Sequence, residues 1–127
     1  MEPRARVLIV DDEPLNVEVL EELLEDYEVD HAYCGREALE KVEAFEPDLI
    51  LLDVMMPRMD GLEVCRQVRN NERFCGSIVV FLSAKAAPED IQAGYNVGAD
   101  DYLTKPFDHA TLLDKIETHI EARGIAG

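Results

Sequence analysis

Leu49-Ile50-Leu51-Leu52-Asp53-Val54-Met55-Met56-Pro57-Arg58-Met59-Asp60-Gly61 is the stretch on which the fold turns. Four consecutive apolar residues make a strand, and the lack of polar alternation suits one covered on both faces, as in a parallel sheet between helices. The run stops on a carboxylate, passes through a proline-containing loop and reaches Gly61, where φ > 0 or entry to a helix is expected. Working outward, Val7–Val10 and Ile78–Leu82 have the same unbroken apolar character. Two weaker strands, near Glu28–Tyr33 and Asp101–Thr104, carry polar residues, as edge strands do.

Helical segments fill the intervals. The first begins at Pro14, a favoured first-turn residue, and runs to about Glu25 with Leu20, Leu23 and Leu24 facing inward. Others span about Gly35–Phe45, Gly61–Asn70, Pro88–Val97 and Asp108–Ala122; Asp108 reads as an N-cap and Gly98 as a left-handed stop. Strand starts at Val7, Val29, Leu49, Ile78 and Tyr102 lie 22, 20, 29 and 24 residues apart, the pitch of a repeated strand–helix unit. This predicts an α/β fold, (βα)5, with a five-stranded parallel sheet and right-handed crossovers. Placing the three apolar strands centrally and the two polar ones at the edges gives the order 2-1-3-4-5, which is flavodoxin-like. With 127 residues and no linker, low-complexity stretch or longer repeat, residues 1–127 are expected to form a single domain, with a core from about 6 to 122.

Composition narrows the function. Acidic residues number 28 against 12 Lys and Arg, a formal charge of −16. Such a chain is repelled by phosphate backbones and anionic lipid, so neither nucleic acid nor a membrane surface is expected as partner. The apolar runs fall far short of the about 20 residues that cross a bilayer. The opening Met1-Glu2-Pro3-Arg4-Ala5-Arg6 has no apolar stretch to act as a signal peptide. Cys34, Cys65 and Cys75 are few, odd in number and without zinc spacing, which points to reduced thiols and a cytoplasmic location. His31, His109 and His119 are scattered, and Met55, Met56 and Met59 read as loop packing.

Ligands of open α/β sheets bind beyond the carboxyl ends of the strands, where strand order reverses. That edge carries Asp11 and Asp12 after the first strand, Asp53 after the third, Ser83 after the fourth and Lys105 after the fifth. Three carboxylates in one pocket repel and raise one another's pKa unless a cation neutralises them. Their hard oxygens suit Mg²⁺, which keeps several waters and leaves room for a phosphate oxygen. Lys105 and Ser83 supply a positive charge and a hydroxyl for a phosphoryl group. The alternative is that these acids merely cap helix N-termini, a reading that serves for Asp11 alone better than for the whole set.

Val10-Asp11-Asp12-Glu13-Pro14, Leu51–Gly61, Leu82-Ser83-Ala84 and Asp100-Asp101-Tyr102-Leu103-Thr104-Lys105-Pro106-Phe107 together resemble the receiver domain of two-component response regulators. The likeness covers about Arg6 to Ala122 in order, and it is nearest to receivers of diguanylate cyclases and hybrid sensor kinases. It implies that Asp53 accepts a phosphoryl group from a histidine kinase or histidine phosphotransfer protein. It further implies that Asp12, Asp53 and the Met55 carbonyl bind Mg²⁺, with Asp11 acting mainly through water. Lys105 would pair with the phosphoryl group and Ser83 would move to hydrogen-bond it. Tyr102 would be a switch residue that turns inward as Ser83 moves, beside a cis Lys105–Pro106 peptide. Met55 and Lys85 occupy the variable positions that help set phosphoryl lifetime.

The same resemblance implies a signalling switch and not a turnover enzyme, with output through the fourth helix, fifth strand and fifth helix. His109, Leu112 and Leu113 are expected to give that face a mixed apolar and polar surface, the place for a homodimer contact. A downstream output protein or domain is also implied, either separate or joined to a receiver cut from a longer hybrid kinase or cyclase-type regulator. Met1 favours a complete chain. A phosphatase of the haloacid-dehalogenase type would need a second acid two residues after Asp53, where Met55 stands, and a cap domain. A degenerate receiver would lack one of the five site residues. Finally, residues 11–30 hold ten acids and no Lys or Arg. They form either a solvated helix face or a surface that steers a basic partner.

Overall fold

The computed structural model describes residues 4–125; Met1, Glu2 and Pro3, on which the leader reading partly rested, lie outside them. Five strands alternate with five helices: β1 (Arg6–Val10), α1 (Pro14–Leu23), β2 (Glu28–Ala32), α2 (Gly35–Phe45), β3 (Leu49–Asp53), α3 (Gly61–Asn70), β4 (Ile78–Ser83), α4 (Pro88–Asn96), β5 (Asp101–Thr104) and α5 (His109–Ala122). The sheet is parallel throughout, in the order β2-β1-β3-β4-β5. Every residue of β3 and β4 is buried, whereas β2 is mostly half-exposed, which is the physical reason polarity alone separated centre from edge.

Side chains alternate across the sheet, so each central strand feeds two cores. Leu8, Val10, Ile50, Leu52, Val79 and Phe81 meet α2, α3 and the inner side of α4 through Ala38, Val42, Val64, Val68 and Ile91. Val7, Ile9, Leu49, Leu51, Ile78, Val80 and Leu82 meet α1 and α5 through Val17, Leu20, Leu112, Ile116 and Ile120. Burying each Leu, Ile or Val contributes roughly 1.5–3 kcal/mol, so the three central strands supply most of the folding drive. Their register also brings the ends of β1, β3 and β4 to one edge, with Val10 beside Leu52 and Asp53 beside Leu82.

Several local expectations are corrected. Helix α1 stops at Leu23; Leu24 is its C-cap and is buried, while Leu23 is only partly so. Asp108 caps α5 by position but its side chain makes no capping bond. Leu112 is fully buried in the core and offers the outer face of α5 nothing, because it shares the inward stripe of Ile116 and Ile120. Met55 is 53% exposed and does not pack, in contrast to the buried Met56. Gly98 does stop the chain after α4 with φ of 108°.

The opposite end of the sheet is tied by Arg69. Its guanidinium donates to the carbonyls of Gly98 and Cys75 at 2.9 and 2.8 Å and to that of Ser77, and it pairs with Asp100 at 2.9 Å. Asp100 also accepts from Val79 N at 2.9 Å and pairs with Arg123 at 3.2 Å. This cluster fixes the start of β4, the turn before β5 and the end of α5 to α3.

Candidate functional site

Asp53 is the last residue of β3, where the strand's inward alternation would place a Leu, yet it is only 8% exposed. Its Oδ1 accepts from Met55 N at 3.0 Å, which orients the carboxylate at the top of the strand. Gly61 opens α3 directly beneath. Its N–H donates to Val54 O at 2.9 Å, and a Cβ there would lie 2.2 Å from the Asp53 carbonyl oxygen. Gly61 has no positive φ; glycine is required by this close approach at the helix entry and not by a left-handed backbone.

Asp11 and Asp12 follow β1. Asp11 is buried, at 3% exposure, and Asp12 is more open. One oxygen of Asp11 accepts from Glu13 N at 2.9 Å and the other from the Asn16 amide at 3.3 Å. Oxygens of Asp11, Asp12 and Asp53 all lie within 4.8 Å of one another. Lys105, just past β5, brings its Nζ to 3.5 Å from Asp11 and 3.6 Å from Asp53. Both distances exceed an ordinary N–H···O bond of about 2.7–3.2 Å, so the ammonium acts as a point charge between two carboxylates. The Lys105–Pro106 peptide is cis.

The balance of charge is visible in Asp53. Burial raises its pKa above the ordinary aspartate value; Lys105 and the Met55 N–H oppose this, and Asp11 and Asp12 reinforce it. The net rise is thus chiefly a cost of burial that Lys105 and the Met55 N–H do not overcome. The donor set, all hard oxygen and closely grouped, fits a small divalent cation of the Mg²⁺ kind.

Ser83 ends β4 fully buried, and its Oγ accepts from Lys85 N at 3.1 Å. The carbonyl of Lys85 in turn accepts from the Tyr102 hydroxyl at 2.8 Å. The Tyr102 ring is already inside, 8% exposed, with its centroid 5.9 Å from that of Phe81. The inward position expected of this residue is the one the ring occupies here. On the outer side, Asp101 pairs with His119 at 3.0 Å and Lys115 at 3.4 Å and takes a long bond from the Tyr95 hydroxyl at 3.5 Å. Burial raises the Asp101 pKa, but the His119, Tyr102 N–H and Lys115 contacts outweigh it and hold the carboxyl below its ordinary value.

All the sequence-selected residues at strand ends therefore share one edge: Asp11, Asp12, Asp53, Met55, Ser83 and Lys105, with Tyr102 and Pro106 beside them. No histidine joins the Asp11, Asp12 and Asp53 group, although His109 lines the adjoining groove with Asp11, Lys105 and Pro106. Reading the sequence missed Asn16, whose one signal was its position on the first turn of the helix after Asp11. It also missed the Lys85 backbone, which links Ser83 to Tyr102 and has no signature in residue type.

Comparison with known proteins places this arrangement. The family model described as response regulator receiver domain matches residues 7–117. The response regulator ArlR of Staphylococcus saprophyticus is 43% identical over 113 residues, 87% of this chain and 50% of its own length. A probable cyclic di-GMP phosphodiesterase of Vibrio cholerae is 39% identical over 116 residues, 91% of this chain and 26% of its own. Among solved structures, the Vibrio cholerae chemotaxis protein CheY4 superposes with a TM-score of 0.85 at 38% identity, covering 91% of this chain and 98% of that one. The chain thus spans half or less of the length of these curated relatives.

Proposed function

The chain belongs to the response regulator receiver domain family, and from that premise we propose that it is a phosphorylation-gated switch with Asp53 as phosphoryl acceptor. The observation that carries the reading is the grouping of Asp11, Asp12 and Asp53 within 4.8 Å with Lys105 at 3.5–3.6 Å from two of them. An acidic cluster alone is ordinary; one with an ammonium inserted at the carboxyl ends of three strands supports a phosphoryl-accepting role.

In the proposed reaction an Asp53 carboxylate oxygen attacks phosphorus in a phosphohistidine of a histidine kinase or phosphotransfer protein. The P–O bond forms as the P–N bond breaks, and the electron pair leaves with the imidazole, which takes a proton. Asp12, Asp53 and the Met55 carbonyl would hold Mg²⁺, with Asp11 through water; when bound, the ion neutralises charge on the phosphoryl oxygens. Lys105 pairs with the incoming group, and the Ser83 hydroxyl, freed from Lys85 N, hydrogen-bonds it. Breaking that bond shifts the Lys85 peptide, to which Tyr102 is tied, and so carries the event to α4, β5 and α5. Hydrolysis reverses it by attack of water on phosphorus, releasing phosphate and Asp53. Met55 and Lys85, two residues after Asp53 and Ser83, bear on the lifetime.

The chain is then a receiver acting in the cytoplasm on a downstream protein or domain, and not a turnover enzyme. Residues 1–127 would form one receiver unit, either alone or as part of a longer regulator. A homodimer through the α4–β5–α5 face would have to form around the internal pairs of Asp101. No helix among the described residues is long and apolar enough to cross a membrane. The test is incubation with acetyl phosphate and Mg²⁺, read by intact mass. One added phosphoryl group is expected, lost in Asp53→Asn and with chelator; labelling that survives Asp53→Asn overturns the assignment.

A further inference from the structure

Gly94 lies in the last turn of α4 and is that helix's one buried residue. Its backbone is not left-handed, since the positive-φ glycines are Gly98 and Gly124. Nothing in the local conformation therefore calls for glycine, and alanine is the better residue in a helix interior. The reason is spatial. A Cβ at position 94 would lie 2.8 and 3.0 Å from Cδ2 and Cε2 of Tyr102 and 3.3 Å from Cδ2 of Phe81. Two of those contacts are with a ring whose other end is fixed by the hydroxyl bond to Lys85 O at 2.8 Å. The ring is thus confined between Phe81, the Lys85 carbonyl and the bare backbone of α4.

We infer that Gly94 is the positioning residue for Tyr102: the missing side chain is the space the ring occupies when inward, and residue 94 sets how much of the population holds that pose. A methyl group at this point faces a ring edge and a packed phenylalanine. Either the ring swings out and gives up its bond to Lys85, or α4 lifts from the sheet. In both cases the inward state becomes less stable than its alternative, and a ligand that prefers the inward state binds more weakly in proportion.

The decisive measurement is on the unphosphorylated protein and does not depend on Asp53 being the acceptor. Nuclear Overhauser contacts from the Tyr102 ring to Phe81 and to residue 94 are expected in wild type and lost in Gly94→Ala. A thermal cycle supplies a second readout in which a general packing defect would look different. Gly94→Ala should lower the unfolding midpoint in the Tyr102 background and raise it in the Tyr102→Ala background, where the ring clash is gone, Phe81 at 3.3 Å has room to yield and helix propensity decides the sign. Ring contacts that persist with alanine in place, or an equal midpoint change in both backgrounds, overturn the inference. The link to signalling is read with beryllofluoride, whose apparent Kd should rise in Gly94→Ala but not when the same change is made beside Tyr102→Ala; an equal rise in both overturns the coupling. Absence of beryllofluoride binding to wild type would instead count against the phosphoacceptor reading, leaving the ring contacts to decide Gly94.

Discussion

Replacing Asp53 by Asn should stabilise the protein while abolishing its chemistry. In the folded chain the Asp53 carboxyl is held above its ordinary pKa, chiefly by burial, with Lys105 and Met55 N–H opposing and Asp11 and Asp12 adding. Carboxylate pairs within 4.8 Å repel by about 3.5 kcal/mol each at an effective dielectric of about 20, and Lys105 at 3.6 Å returns about 4.6 kcal/mol. Water at the more open Asp12 weakens one repulsion, so about 1–3 kcal/mol of net strain is expected in ionised Asp53. Asn is isosteric and keeps an oxygen for Met55 N–H. With an unfolding entropy of about 0.27 kcal/mol/K for 127 residues, the midpoint should rise by roughly 4–11 °C at pH 7 in chelator. The sign with pH follows from linkage. A raised folded pKa means stability that is complete below the unfolded value, about 3.9, and lost as pH rises through the folded value. The advantage of Asn should therefore vanish in acid and open above pH 4. Added Mg²⁺ should raise the midpoint of wild type more than that of the variant. Calorimetry across pH 3.5–8 is the assay, and an Asn variant no more stable than wild type at pH 7, or equally favoured at all pH values, would refute the electrostatic account.

Three further outcomes are expected. Gly61→Ala should cost about 3 kcal/mol, the upper end of overpacking, because its Cβ meets the Asp53 carbonyl at 2.2 Å; urea unfolding reads the cost, and acetyl phosphate labelling should slow as Asp53 is displaced. Arg69→Ala should lower the unfolding midpoint by roughly 11 °C, equivalent to about 3 kcal/mol for the Gly98, Cys75 and Ser77 carbonyls left without their donor and the lost pair with Asp100; a shift under about 2 °C by calorimetry would show that water replaces it. Lys105→Met should slow labelling by acetyl phosphate without lowering Mg²⁺ affinity, since it removes a cation and not a ligand; mass spectrometry and calorimetric titration separate the two, and unchanged labelling would remove Lys105 from the reaction.

How far the sequence reveals this molecule depends on whether a feature is written in residue type or in space. The sheet was legible because Leu49–Leu52 and Ile78–Leu82 are apolar on both faces while Glu28–Ala32 is not, and strand centrality follows from that difference alone. Asp11, Asp53 and Lys105 were legible because the carboxyl ends of parallel strands converge by topology, so order in sequence stood in for distance. Leu112 was misread because the apolar stripe of α5 had no fixed phase until Ile116 and Ile120 were seen on the sheet. Met55 was misread because exposure beside a site looks in sequence like any apolar loop. Of the two readings of Gly61, entry to α3 holds and φ > 0 does not; the close approach that requires glycine involves the backbone of a strand eight residues earlier.

The helices are not held equally, and the inequality matches the proposed direction of signalling. Helix α3 begins with Asp60 accepting from Glu63 N at 3.0 Å, buries Val64, Cys65 and Val68, and carries the Arg69 cluster at its far end. Helix α4 begins at Ala87 with no side-chain cap and buries Gly94 alone, with Ile91 partly covered. Burial of apolar side chains is the main force fixing a helix to a sheet, so α4 can be displaced at far smaller cost than α3. The proposed phosphoryl site sits between them, with Asp53 leading into α3 and Ser83 leading into α4. An added charge in that pocket meets one wall that cannot move and one that can. In the proposed switch this difference in anchoring directs the effect toward α4, and Tyr102, bound to the Lys85 carbonyl at the entrance to α4, is placed where that motion would begin.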